Sequence, residues 1–212
     1  MNLEIKESSF TAIIGSNGSG KTTLAKHFNA LLTPLKGSLL VDGTDTKNNE
    51  FNARKKVGFV FQNFEDQLIY SIVEEDLAFG LENLGLNNYE INNAICGILD
   101  KLKSRHLAKN NINALSAGQK QLVALGGVLV MKPKYIVFDE PTTNLDARNR
   151  KNIMSIITEL NKKEKIGIIL ITNMLDDIKY ADQVVVMKNG VVAFNDKKSK
   201  LTRKMLKRWF YD

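Results

Sequence analysis

Along this chain, apolar runs rich in β-branched residues alternate with segments of helical periodicity. Phe10 to Ile14, Ser38 to Val41, Val57 to Phe61, Tyr135 to Phe138, Ile166 to Ile171 and Gln183 to Met187 each read as a buried strand. Strands interleaved with helices predict an α/β fold on a mostly parallel sheet. Helices are expected over Thr22 to Leu32, stopped by Pro34, and over Asp146 to Lys163, where the aspartate is placed to cap. Asn189-Gly190, between QVVVMK and VVAF, is a hairpin signal, so an antiparallel pair should close the C-terminal side.

Between Asn63 and Leu115 the strand signal disappears. Ile72 to Leu84 and Tyr89 to Lys103 carry apolar residues at three- and four-residue spacing, with the pairs Asn87-Asn88 and Asn110-Asn111 in the loops between them. We therefore expect one domain over 1–212, its core from 1–62 and 134–212 and a helical subdomain inserted at 63–133.

Four of the expected strands end in residues with chemistry. Phe10 to Ile14 runs into Gly15, Ser16, Asn17, Gly18, Ser19, Gly20, Lys21, Thr22 and Thr23, which fits G-x-x-x-x-G-K-[ST] between a strand and a helix. Glycines let the backbone wrap a polyphosphate, the N–H groups and the helix N-terminus face its oxygens, Lys21 adds a charge, and Thr22 offers a hydroxyl to Mg²⁺. This points to a polyphosphate and Mg²⁺; the segment resembles the phosphate loop of P-loop NTPases, which implies ATP and a RecA-like core. The strand YIVF surfaces into Asp139 and Glu140, one carboxylate suited to the metal and the other to orienting or deprotonating water. KVGFVFQ ends at Gln62 and GIILITN at Asn173. In open parallel sheets ligands sit beyond the carboxyl ends of the strands, so Gln62, Glu140 and Asn173 should border one crevice with the phosphate loop.

Leu115-Ser116-Ala117-Gly118-Gln119 stands about twenty residues before the Asp139 strand. Ser116 followed by Gln119 is also a capping box, and both readings can hold, because a capped helix N-terminus attracts phosphate. With the phosphate loop and the Asp139-Glu140 strand, this segment resembles the ABC-type ATPases, whose signature is LSGGQ. The stretches FVFQNFEDQL at 59–68 and VEEDLAFGLENLG at 73–85 are similar to the ATPase subunits of energy-coupling factor importers and their cobalt and nickel relatives. The resemblance implies subunits that work in pairs, each ATP lying between one phosphate loop and the partner's signature. It implies a membrane T component gripped by the pair, a separate S component that chooses a vitamin or metal ion, and a place at the cytoplasmic face of the membrane. By the same resemblance Ser116, Gly118 and Gln119 touch the partner's ATP, and Gln62 senses nucleotide and joins Thr22 and Asp139 at the metal. Glu140 is catalytic through water, Asn173 stands where it can hydrogen-bond a phosphate, and Asp146 lies in the loop linking the two sites.

The chain departs from the family at Asn173, where a histidine is usual, at Ala117 for the first signature glycine, and at Leu122 for an arginine. The strand and adenine-stacking aromatic that the family carries before LEIKESSFTAIIG are expected to be missing, which leaves base recognition unassigned. Two further readings stand beside the importer ATPase: a weakly hydrolysing regulatory member of an unequal pair, and a nucleic-acid-directed ABC ATPase. The second is disfavoured because the chain has no room for a coiled-coil insertion or a second ATPase half, and no nucleic acid is expected.

Composition narrows the rest. With 43% apolar and 25% charged residues the chain is globular rather than disordered. Its longest apolar stretches fall short of the roughly 18 residues a membrane helix needs, and no signal peptide is read at Met1, so a cytosolic address is expected. Cys96 has no ligand cluster around it and reads as an apolar filler. Net charge is +7, and its densest cluster, KKSKLTRKMLKR at Lys197 to Arg208, reads as a docked terminal helix with Leu201, Met205 and Trp209 on one face.

Overall fold

The structure is a computed structural model that describes residues 1–143 and 145–210, with side chains up to residue 206 in the last helix. In chain order its elements are β1 (Phe10–Ile14), α1 (Lys21–Phe28), β2 (Leu40–Val41), β3 (Thr44–Asp45), α2 (Glu50–Lys56), β4 (Val57–Val60), α3 (Val73–Asn83), α4 (Asn88–Lys101) and α5 (Ala117–Leu129). They continue with β5 (Tyr135–Asp139), α6 (Ala147–Glu164), β6 (Gly167–Ile171), β7 (Gln183–Lys188), β8 (Val191–Lys197) and α7 (Arg203–Phe210). The chain divides into two compact units, Met1–Phe59 with Lys134–Asp212, and Val60–Pro133.

Among the described residues the first unit holds a six-stranded sheet in the order β4-β5-β6-β1-β7-β8. β5, β6, β1 and β7 are parallel, with Ile13 beside Ile171 and Val185, and Asp139 beside Ile171. Every residue of β1 and β6 is buried, which is why both read as unbroken apolar runs rather than alternating ones. β8 pairs antiparallel with β7 through Asn189 and Gly190, both left-handed (φ 51° and 78°), and its residues alternate between exposed and half-buried, as an edge strand does. The expected α/β fold with a mostly parallel sheet is what the chain adopts.

Three expectations need correction. Ser38 to Val41 does not enter the main sheet. Only Leu40–Val41 is strand, and it pairs with Thr44–Asp45 across Asp42-Gly43 (φ 48° and 78°), a local hairpin turn that wins over the longer pairing. Asp42 is then tied to the N-terminal end of β5 by the Tyr135 hydroxyl at 2.9 Å and Lys134 at 3.1 Å. The first helix stops at Phe28 instead of Leu32, because Ala30 turns left-handed (φ 56°), and Leu31 and Leu32 are exposed rather than part of a core face. Leu201 lies ahead of α7, not on it, and the side chain of Trp209 is outside the described residues.

The second unit is built from α3, α4 and α5. Val73, Leu77, Leu81, Ile95, Leu99 and Leu125 fill its core. Gly126 lets α5 approach closely, since a Cβ there would lie 3.1 Å from the Leu77 side chain. Asn87 and Glu90 cap α4 reciprocally. Cys96 is half-buried on α4.

Candidate active site

The loop between β1 and α1 is shaped for a ligand it does not itself supply. Gly15 packs against the neighbouring strand so closely that a Cβ would lie 2.3 Å from the Met187 carbonyl oxygen, so only glycine fits. Gly20 caps α1 in the left-handed region (φ 95°) and brings no side chain to the first-turn N–H groups. Among the described residues, the Ser19 hydroxyl is buried without a hydrogen-bond partner. A buried donor left this way costs free energy, and a bound anion would relieve it. Lys21 is 5% exposed, and its ammonium donates to the Gly15 and Ser16 carbonyls at 2.9 and 3.0 Å. Burial pulls its pKa below the ordinary lysine value, while Glu140 and Asp139 push back.

At the end of β5, Asp139 is 3% exposed and accepts the Thr22 hydroxyl at 3.1 Å. Burial raises its pKa above the usual carboxylate value; Glu140 adds to the rise, and the Thr22 hydrogen bond, Lys26 and Lys21 oppose it. Lys21, Asp139 and Glu140 thus feel one another's charge, although they stand far apart in the chain. Glu140 is left-handed (φ 49°), an uncommon conformation for this residue type. Its N–H donates to Ile171 at 3.0 Å, and its carboxylate accepts the Thr143 hydroxyl at 3.0 Å. Asp146 caps α6, accepting from the Arg148 and Asn149 N–H groups at 2.9 Å each; these bonds, Asn149's first, hold its pKa below the usual carboxylate value. Asn144, between them, is outside the described residues.

Asn173 leaves β6 two residues past its end and is exposed. Because β1, β5 and β6 are parallel, Gly15, Glu140 and Asn173 leave the sheet at one edge. A cleft of about 1100 Å³ adjoins that edge, reaching Gly20 and Thr23 but not Lys21 or Glu140. Ser16, Asn17 and Gly18 are exposed along the loop.

Gln62 follows β4 by two residues and belongs to the second unit, as does the Ser116 segment. Ser116 caps α5 in a complete capping box: its hydroxyl accepts the Gln119 N–H at 3.4 Å and the Gln119 side chain accepts the Ser116 N–H at 2.9 Å. Ala117 and Gly118 are the first residues of that helix, and Lys120 reaches Glu65 at 2.6 Å.

An Mg²⁺ ion prefers hard oxygen donors and keeps several waters. The hydroxyl and carboxylate of Thr22 and Asp139, already within 3.1 Å, fit that preference. Among the described residues there is no cluster of three or more His, Cys, Asp or Glu that would hold a metal by itself.

Sequence reasoning missed several residues that shape this edge. Thr143 follows Glu140 by three residues in a turn begun by Pro141, a local signal that was there to be read. Arg150 and Asp177, which bond each other at 2.8 Å, are 27 residues apart, and no local spacing announces them.

Comparison with known proteins agrees with the geometry. The family model described as ABC transporter matches residues 1–143. An energy-coupling factor transporter ATP-binding protein, EcfA1 of Clostridium perfringens, is 46% identical over 192 residues, 90% of this chain and 68% of that protein's length. The structure of cbiO1 from the same species, part of the ABC transporter complex cbiONQ, superposes with a TM-score of 0.87 at 37% identity, covering 98% of this chain and 85% of that one. The dimeric cassette MJ0796, in a post-hydrolysis state bound to ADP and Pi, superposes with a TM-score of 0.82 at 28% identity over 92% of this chain and 88% of that one. This chain belongs to the ABC transporter family, as an ATP-binding and ATP-hydrolysing subunit of the energy-coupling factor type.

Proposed function

We propose that this protein hydrolyses ATP to drive uptake of a vitamin or metal ion, paired with a second ATPase subunit at the cytoplasmic face of a membrane. The pair would act on a T component and through it on a substrate-binding S component. The likeness to EcfA1 and to cbiO1 of the cbiONQ complex supports this reading. Among the described residues no helix is long and apolar enough to cross a membrane.

The observation that carries the site assignment is the 3.1 Å hydrogen bond from the Thr22 hydroxyl to Asp139, which joins the phosphate loop to the end of β5. In this reading the loop from Gly15 to Thr23 cradles the triphosphate, and Lys21 releases its two carbonyls to meet the phosphate oxygens. Thr22 and Asp139 would hold Mg²⁺. The ion, when bound, neutralises charge on the phosphates. Glu140 takes a proton from the attacking water, and the Thr143 hydroxyl fixes where its carboxylate points. Asn173 hydrogen-bonds a phosphate oxygen without carrying a titratable charge, unlike the histidine usual there. Ser116, Gly118 and Gln119 serve the partner's ATP, and the capping box leaves the Ala117 and Gly118 N–H groups and the Ser116 hydroxyl proton to meet it.

Asn173 and Ala117 also favour a second reading, a slow site whose signature serves a competent partner. Replacing Asn173 with His in that site should raise its turnover, and an unchanged rate would exclude the substitution as the limit. For the main reading, Glu140→Gln in the assembled complex, with the partner's site silenced, should cut turnover by roughly 10² to 10⁴ while nucleotide still binds. Unchanged turnover would overturn the role given to Glu140.

A further inference from the structure

The loop that carries Asn173 is closed on itself and anchored from outside. The Thr172 hydroxyl donates to one oxygen of Asp177 at 3.0 Å and accepts the Met174 N–H at 3.0 Å, so the two residues flanking Asn173 share one hydroxyl. The Asp177 N–H donates back to the Met174 carbonyl at 3.1 Å. The other oxygen of Asp177 accepts from the Arg150 guanidinium at 2.8 Å, with the carboxylate side chain only 3% exposed. Thr172 is held as well by its N–H bond to Ile13 of β1 at 3.1 Å. Arg150 lies in the first turns of α6, and its N–H bonds Asp146, the residue that caps that helix.

A buried carboxylate needs its partners, and each bond in such a chain strengthens the next. Nothing in the role assigned to the phosphate loop requires this ion pair, yet its two arms end at the loop after β6 and at the helix entered from the Glu140 turn. We infer that Arg150, through Asp177 and Thr172, is a positioning residue for Asn173, a buried brace that fixes the loop after β6 to the start of α6. Motion at the Asp146 cap is thereby transmitted to Asn173 through a guanidinium, a carboxylate and a hydroxyl in series. The inference rests on the reading of Asn173 as a phosphate contact, and it deepens that reading by naming what aims the side chain.

Two measurements test it. In the purified protein, amide hydrogen exchange at Met174 should quicken by roughly 5- to 10-fold in Thr172→Val, which keeps the shape and removes the hydroxyl, and stay near wild type in Thr172→Ser. Arg150→Lys, which loses the guanidinium N–H that bonds Asp177, should act in the same direction. In the assembled complex with the partner's site silenced, Thr172→Val should lower kcat by about 3- to 10-fold with nucleotide affinity unchanged, and Thr172→Ser should restore it. The loss should vanish in an Asn173→Ala background, because the hydroxyl acts through that side chain. An equal loss in that background, or exchange at Met174 indifferent to both Thr172→Val and Arg150→Lys, would overturn the brace. Should Asn173→Ala itself leave turnover intact, the phosphate role of Asn173 falls and the positioning role with it, and the exchange arm still reports whether the loop is held by Arg150.

Discussion

Two helices in this protein start from loops that were both read as phosphate sites, and they start in opposite ways. α1 begins at Gly20, which offers no side chain to the first turn, beside a buried Ser19 hydroxyl without a partner and a lysine folded onto carbonyls of its own loop. α5 begins at Ser116, whose side chain and that of Gln119 satisfy each other's N–H groups. One N-terminus keeps its donors in reserve, and the other has already spent two of them. An anion can enter the first by filling unmet demand, whereas at the second it meets a terminus already held by a capping box worth about 1 kcal/mol and finds fewer donors left. The loop proposed to bind the protein's own nucleotide thus keeps unmet donors, and the segment proposed for the partner's nucleotide is capped without it.

That contrast can be broken at either end. Lys21→Met should weaken nucleotide binding by roughly 10- to 100-fold, the loss expected for hydrogen bonds to a charged group, in a fluorescent-nucleotide titration. Stability of the nucleotide-free protein should change by less than about 1 kcal/mol, because burial already works against the lysine's charge. Ser116→Ala should do the reverse, lowering nucleotide-free stability by about 1 kcal/mol in urea denaturation while its own phosphate loop binds nucleotide as before. If the two variants shifted stability equally, the distinction between a reserved and a capped terminus would be lost.

Smaller effects sharpen it. Ser19→Ala removes a buried hydroxyl that has no partner, so the nucleotide-free protein should gain up to about 1 kcal/mol, and part of that gain should disappear when nucleotide is present. The smallest signal comes from Asp139. Burial raises its pKa in the folded protein, so the folded state binds its proton more tightly than the unfolded chain does. Its contribution to stability is present below the ordinary carboxyl pKa and is lost as pH climbs through the raised value, from about pH 4 upward. Denaturation across that range should show the decline, and Asp139→Asn should flatten it.

The parallel strands were legible because residues buried on both faces leave unbroken β-branched runs, and β1 and β6 have such runs. The hairpin of β7 and β8 was legible from two residues, Asn189 and Gly190, which accept the left-handed backbone it needs. Local pattern failed where one chemistry has two geometries. Leu31 and Leu32 continue the period of α1, but Ala30 turns the backbone away, and nothing in alanine foretells that. Ser38 to Val41 has strand composition, and the Asp42-Gly43 turn folded it back on its neighbour instead. At the site, spacing along the chain was enough to single out the phosphate loop and the Asp139-Glu140 pair. It was silent on Arg150, Thr172 and Asp177, because their relation exists only once β6 lies beside β1 and α6 has packed.

The tip of the β7–β8 hairpin has one more consequence. The Gly190 N–H donates to the Ser19 carbonyl at 3.0 Å, and the Met187 carbonyl sets the floor under Gly15. The outermost turn of the sheet is therefore the back wall of the phosphate loop. A fluorophore attached at the neighbouring Val191 would sit one residue from the hydrogen bond to Ser19, and on the proposed function its emission should report loading of the nucleotide.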